Sequence, residues 1–293
     1  MKNAIAACAV AAVLSVGTVF AQDVKFGLRA GVNLPNIKSG GKNTPVSEGY
    51  SSRLASGIGL FTELQLNPKW SVRLGVEYSG QGGKKDGLQA MPTMRLITGI
   101  AGEMGMAMAA DPDAAAALMG AAAQMPQYYY ANVNNTVRFD YAMIPVLAQY
   151  SIALGESPWS VYVNAGPFVS FLVSGKQISS GNSRLYADAA GQTPVWDALP
   201  LDIQQTLATA IPNLANVLQN EAPGSKTNIT GEMKSTNFGV IGNIGIRYQC
   251  GRNAFFVEGG GNYGFVTVQQ DDANGSNRLG AASIMAGYAF SFF

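Results

Sequence analysis

The sequence predicts an all-β chain, an eight-stranded antiparallel up-and-down transmembrane β-barrel with helical extracellular loop insertions. Three observations predict it. Apolar residues recur with a period of two in eight segments, the connections between those segments alternate long and short, and 35 of the 293 residues are glycine, against a usual share of roughly 7%. A strand with one apolar face and one polar or small face suits a wall between lipid and a filled interior.

The first element is not part of the wall. Residues 1–21 begin with Lys2, continue through an apolar core from Ala4 to Val16, and end in Val19, Phe20 and Ala21 before Gln22. That is the pattern of a secretory signal peptide cleaved between Ala21 and Gln22. Residues 22–293 then form one barrel domain, whose single thiol, Cys250, allows no intramolecular disulfide. Beyond the signal no run of 18 apolar residues occurs, so no helical span is expected.

The strands follow in order. In 24–34, Phe26, Leu28, Ala30, Val32 and Leu34 share one face, opposite Lys25, Gly27, Arg29, Gly31 and Asn33. In 53–66 the apolar face is Leu54, Ile58, Leu60, Leu64 and Leu66, and in 70–79 it is Trp70, Val72, Leu74, Val76 and Tyr78. Further segments fall at about 137–152, interrupted by Pro145, and at 159–174, 237–249, 254–268 and 279–293. In the last of them the apolar face is Ile284, Ala286, Tyr288, Phe290 and Phe292.

Short turns at Asn67 to Lys69, Gly155 to Pro158 and Cys250 to Asn253 alternate with longer connections, two of them near 83–136 and 175–236. Short turns on one side and long loops on the other are the habit of outer-membrane barrels, whose closure satisfies every backbone donor and acceptor in lipid. The expected location is the cell outer membrane, with both termini periplasmic and the long loops extracellular.

The polar faces carry opposite charges. About the turn at Pro68, Glu63 faces Arg73 and Phe61 faces Gly75; about the turn at Cys250 to Asn253, Arg247 comes near Glu258. With Arg29 and Glu77, these make three arginines and three glutamates that neutralise one another in a narrow interior. Such an interior is expected to be plugged, not a wide pore. Glu63→Ala is expected to strand Arg73, and Arg73→Ala to restore the balance. Trp70 and Trp159 begin strands at the turn end, and Tyr248, Phe255, Phe292 and Phe293 lie at the same level, an aromatic girdle at the periplasmic interface.

The segments FGLRAGVNL (26–34), FDYAMIPVLAQYSI (139–152), VYVNAGPFVSFL (161–172), FVEGGGNYGF (256–265) and the terminal AGYAFSFF resemble the PorT-type outer-membrane β-barrel family of Gram-negative bacteria. The resemblance implies an eight-stranded barrel whose aromatic end, Tyr288, Phe290, Phe292 and Phe293, is read by the barrel-assembly machinery. It also implies a role as an accessory subunit of a secretion or gliding apparatus.

The long loops have their own pattern. Seven of eleven methionines lie between Gly83 and Thr136, and Asp111, Pro112 and the alanine-rich run Ala114 to Ala123 read as a capped helix. Ile203, Leu207, Ile211, Leu214 and Leu218 give a second helical face from a cap at Asp202, kinked at Pro212 and ended at Pro223 and Gly224. The simpler account packs the two helices together as a cap. The others are a docking surface for a protein partner or a soft-metal site at Met104, Met106 and Met108, which thioethers alone fill poorly. Tyr128, Tyr129 and Tyr130 read as the edge of the cap or a contact patch.

Composition removes most chemistry. A net charge of +1 gives no basic field for nucleic acid, and the absence of any His removes Ser-His-Asp and Cys-His systems. Two cysteines make no metal cluster. Asp111 with Asp113 reads as a helix cap and Asp271 with Asp272 as a turn, not as calcium or acid–base sites. No catalytic residue, metal or cofactor is expected. The expected partners are outer-membrane lipid, the assembly machinery and a protein bound by the loops, and the rival function is a narrow solute or ion channel.

Overall fold

The computed structural model describes residues 23–40, 49–93, 120, 126–180, 184–210, 225–270 and 275–292. Ala21 and Gln22, the methionines at 104, 106 and 108, the expected helix from Asp111, the positions from Ile211 to Gly224, Asp271, Asp272 and Phe293 lie outside them. In chain order the strands are β1 (Val24–Gly40), β2 (Ala55–Gln65), β3 (Trp70–Lys85), β4 (Leu88–Pro92), β5 (Tyr128–Asn132), β6 (Asn134–Ala153) and β7 (Trp159–Ser180). Helix α1 (Leu201–Ala210), β8 (Ser225–Asn228), a single 3-10 turn (Thr230–Glu232), β9 (Thr236–Cys250), β10 (Asn253–Gly264) and β11 (Ser276–Ser291) complete the described elements.

Eight strands close a ring in the order β1, β2, β3, β6, β7, β9, β10, β11 and back to β1, every neighbour antiparallel. Closure leaves no sheet edge along the wall, which is what a strand-built span in lipid requires. Three further strands stand outside the ring. β8 pairs with the far end of β7, and β4 and β5 form a separate hairpin in the connection between β3 and β6. The tyrosine run is β5, held to the loop beyond β7 by a bridge between Tyr130 and Tyr186.

The alternation sets which face sees which medium. Leu60, Ile244 and Ile284 are 68%, 61% and 61% exposed, and Leu28, Val32, Ile58, Val163, Phe238 and Val257 share the outer surface. In water each such side chain forgoes about 1.5–3 kcal/mol of burial, a cost that vanishes against acyl chains. The inner face reverses a soluble core: Arg73, Glu63, Glu258, Asn33 and Gln149 are among its most deeply buried side chains.

Several sequence-based bounds shift. β10 ends at Gly264, short of 268, whereas β3, β6 and β7 run past the expected limits to Lys85, from Asn134 and to Ser180. In β7 a bulge at Val173, where the ladder to β6 slips between Asp140 and Tyr141, reverses which residues face outward. That phase change hides the loop-side stretch of β7 from a period-two reading. Pro145 does not end β6; it pairs with Phe168 on β7, and the ladder to β3 lapses around it. α1 begins at Leu201, so Asp202 lies inside its first turn instead of capping it.

The short turns are built locally. Asn67 Oδ1 accepts hydrogen bonds from the backbone N–H of Lys69 (3.0 Å) and Trp70 (2.9 Å). Gly155 and Gly251 take φ of 65° and 57° in the other two turns, a region glycine enters without steric cost.

Candidate functional site

The interior of the barrel gathers the chemistry-bearing side chains, and they form one continuous chain of alternating charge. Near the short turns, Arg247 donates two hydrogen bonds to Glu63, Nη1 to Oε1 at 3.0 Å and Nη2 to Oε2 at 2.6 Å. Arg73 Nη2 lies 3.3 Å from the same Glu63 Oε2, while its Nη1 donates to Glu258 Oε2 at 2.9 Å. Arg29 closes the sequence, paired with Glu258 through one guanidinium nitrogen and with Glu77 through another. The order is Glu77, Arg29, Glu258, Arg73, Glu63, Arg247, with three positive and three negative groups and no net charge.

Glu63 and Arg73 are direct cross-strand partners on β2 and β3. The Arg247 expectation is corrected. Across the β9–β10 turn Arg247 sits opposite Phe256 and Glu258 opposite Gly245, so the two charges are offset along the ladder. Arg247 instead spans the lumen to β2, where Glu63 offers both oxygens. It follows that Arg73→Ala cannot fully rescue Glu63→Ala, because Arg247 would still lack its partner.

Aromatic rings fill the space around this chain. The Arg73 guanidinium carbon lies 4.5 Å from the ring centre of Phe61, 5.2 Å from Phe256 and 5.5 Å from Tyr162, and Arg247 lies 5.2 Å from Tyr162. Cations over ring faces gain most where water is excluded. Tyr162 Oη also donates to Glu258 Oε2 at 2.8 Å, and Asn164 Nδ2 approaches the same oxygen at 3.5 Å. Tyr162, Asn164 and Phe256 carry no charge to announce them, and only their position on the inward phase of β7 and β10 marks them in sequence.

Each of the three rings lies over a glycine directly opposite on the next strand: Phe61 over Gly27, Tyr162 over Gly245 and Phe256 over Gly287. A Cβ on Gly245 would lie 2.4 Å from the Tyr162 ring. The absence of side chains at these positions admits large rings to an interior that eight strands leave barely wide enough for side chains.

Two apolar layers follow toward the loop end. Met143, Leu147, Phe168 and Ile241 form one; Ile37, Val137, Phe139, Tyr141, Ile229, Val268 and Leu279 form the other, with Tyr50, Leu172 and Met233 packed against it. Asn243 donates to Asn164 at 2.8 Å below them. Among the described residues no group of three or more acidic, Cys or His side chains is placed to hold a metal ion.

The outer rim at the turn end is aromatic. Trp70 pairs with Tyr150 (ring centres 5.0 Å apart), Trp159 with Tyr248 (4.9 Å) and Phe255 with Tyr288 (5.4 Å), each pair directly cross-strand. Phe26, Phe290 and Phe292 continue the band, Phe292 lying 5.3 Å from Phe26 and 5.2 Å from Phe290.

This barrel is similar to solved outer-membrane proteins at low identity. Neisserial surface protein A matches with 13% identity and a TM-score of 0.35 over 91% of this chain and 97% of that one. The attachment invasion locus protein Ail of Yersinia pestis, in complex with the heparin analogue sucrose octasulfate, matches with 10% identity and a TM-score of 0.32 over 92% and 99%. A major outer membrane protein of Thermus thermophilus gives 12% identity and a TM-score of 0.27 over 92% and 99%. No curated protein matches the chain. The family model described as outer membrane protein beta-barrel domain matches residues 20–269, most of the chain, and the chain belongs to that family.

Proposed function

We propose that the protein is a non-enzymatic outer-membrane barrel that anchors its long loops at the cell surface, where they engage a partner or brace the envelope. The observation that carries this reading is the filled lumen. The neutral chain from Glu77 to Arg247, the rings of Phe61, Tyr162 and Phe256 and the two apolar layers stand in series along the barrel axis. Matched charges and apolar constrictions oppose ion passage, which disfavours the narrow-channel reading. The absence of His from the whole chain favours a role without general base chemistry.

In the proposed orientation the signal peptide is removed after Ala21, the short turns and both termini face the periplasm, and the aromatic band from Trp70 to Phe292 lies at that interface. The β4–β5 hairpin, α1 and β8 then stand outside the cell. A second reading, an accessory subunit of a PorT-like secretion or gliding complex, is favoured by the quoted strand segments and by the β4–β5 hairpin, bridged to the loop beyond β7 at Tyr130 and Tyr186, as a surface for a protein to meet. Its mark is co-purification with envelope proteins and loss of export on deletion.

The test is conductance in planar bilayers beside a gel comparing boiled and unboiled samples. A band that shifts on boiling, with no steady conductance, is the expected result. Discrete conductance steps from the folded protein overturn the anchoring role in favour of a channel.

A further inference from the structure

On the outer face, at the loop-side limit of the apolar belt, four cations sit as two like-charged pairs. Lys38 on β1 lies directly opposite Arg278 on β11, and Arg138 on β6 directly opposite Lys176 on β7. Like charges facing each other across a ladder destabilise it unless a counter-ion joins them. No hydrogen bond or ion pair holds any of the four among the described residues. The nearby groups do not cancel the second pair. Arg53 adds a further positive charge within reach of Arg138, and the Asp140 carboxylate beside it accepts a hydrogen bond from Tyr78 Oη at 2.5 Å.

Their height is uniform. Lys38 is twelve residues from Phe26, Arg278 twelve from Phe290 and Arg138 twelve from Tyr150, each counted from the aromatic band. At ~3.3 Å per residue and a strand tilt of about 35–45°, that spans roughly 30 Å along the membrane normal, the thickness of the hydrocarbon core. The cations therefore stand at the level of headgroups. Beside Lys38 a cleft of about 630 Å³ has a mixed lining, apolar at Leu34, Tyr263 and Ala282 and polar at Asn36, Ser39 and Ser52.

We propose that the pairs Lys38 with Arg278 and Arg138 with Lys176 are seats for phosphate groups on the headgroups of outer-leaflet glycolipid, with an acyl chain of the lipid at Lys38 lying in the cleft. The proposal rests on the reading that the loop side is extracellular. Phosphate satisfies both members of a pair at once, and a guanidinium meets it through two parallel hydrogen bonds. The attraction of a lipid surface for each such cation is about 1 kcal/mol, or about fivefold in affinity.

The test uses the refolded protein and native mass spectrometry with bisphosphorylated lipid A, its dephosphorylated form and inorganic phosphate as separate probes. The protein is expected to retain the bisphosphorylated lipid at least about fivefold more than the dephosphorylated one. Lys38→Gln with Arg278→Gln, and Arg138→Gln with Lys176→Gln, each weaken that preference; the fourfold variant abolishes it; Lys38→Arg with Lys176→Arg keeps it. Equal retention of the two lipids, a preference that survives in the fourfold variant, or displacement of the lipid by millimolar inorganic phosphate overturns the proposal. A boiled-versus-unboiled gel on the same samples separates the failures. Folded protein without preference sinks the phosphate seats alone, whereas a wild-type sample that never shifts on boiling sinks the barrel reading with them.

Discussion

Glu63 illustrates how one buried side chain is tied to more than its nearest neighbour. It accepts from Arg247 through both oxygens and from Arg73 through one, and Arg73 has a second anchor in Glu258. Glu63→Ala therefore strands Arg247 completely and Arg73 in part, a loss of about 3–5 kcal/mol for a broken buried pair. Adding Arg247→Ala is expected to recover more stability than adding Arg73→Ala, as read from urea unfolding in lipid vesicles; the reverse ranking would refute the Arg247 contact. Outside the membrane, Asp188 makes a different use of charge. Its carboxylate accepts from the backbone N–H of Thr193 at 2.6 Å, of Gln192 and of Ala190, and the Thr193 bond above all holds its pKa below the ordinary carboxylate value. A depressed folded value means the turn is supported above about pH 4, where the free carboxylate is already ionised, and loses that support as pH falls through the lowered value. Protection of the Thr193 amide from hydrogen exchange is expected to fall in that acid window, and Asp188→Ala to remove it at neutral pH.

At the level of strands, glycine and ring occur as matched partners, and this pairing is open to a direct trial. A methyl at Gly245 meets the Tyr162 ring first, at 2.4 Å. Gly245→Ala is expected to cost about 1–3 kcal/mol as an overpacked site, and to cost little in a Tyr162→Ala background. Equal penalties in both backgrounds would place the strain in the backbone instead. The strands themselves were legible because residues such as Ile58, Leu60, Val72 and Ile244 keep a period of two over the belt, while the opposite face carries glycine and polar groups with a few inward apolar side chains such as Phe61 and Ile241. The charged lumen was legible in composition, since Arg29, Glu63, Arg73, Glu77, Arg247 and Glu258 all fall on the inward phase. The partner of Arg247 was not, because β9 and β2 are not neighbours in the ring and meet only across the closed lumen. β4, β5 and β8 escaped for another reason: segments of five, five and four residues are too short to display a period.

For the whole molecule, the three interior layers act in series, and that arrangement predicts how the barrel responds to being hollowed out. The charged and aromatic layer centres on Arg73, the middle layer on Leu147 and Phe168, and the loop-end layer on Phe139 and Tyr141. An interior of eight strands is filled by side chains alone, so truncation creates local space without widening the wall. Arg73→Gly with Glu258→Gly empties part of the first layer and leaves two apolar constrictions, which exclude ions by remaining dry. That variant is expected to stay silent in planar bilayers, as is Leu147→Ala with Phe168→Ala, which leaves the first and third layers. Conductance is expected only when substitutions open all three layers together, in protein that still shifts on boiling. Steps from a folded single-layer variant would show that one layer carries the whole seal, and a barrel so thinly closed would be built to open, which moves its function from the loops to the lumen.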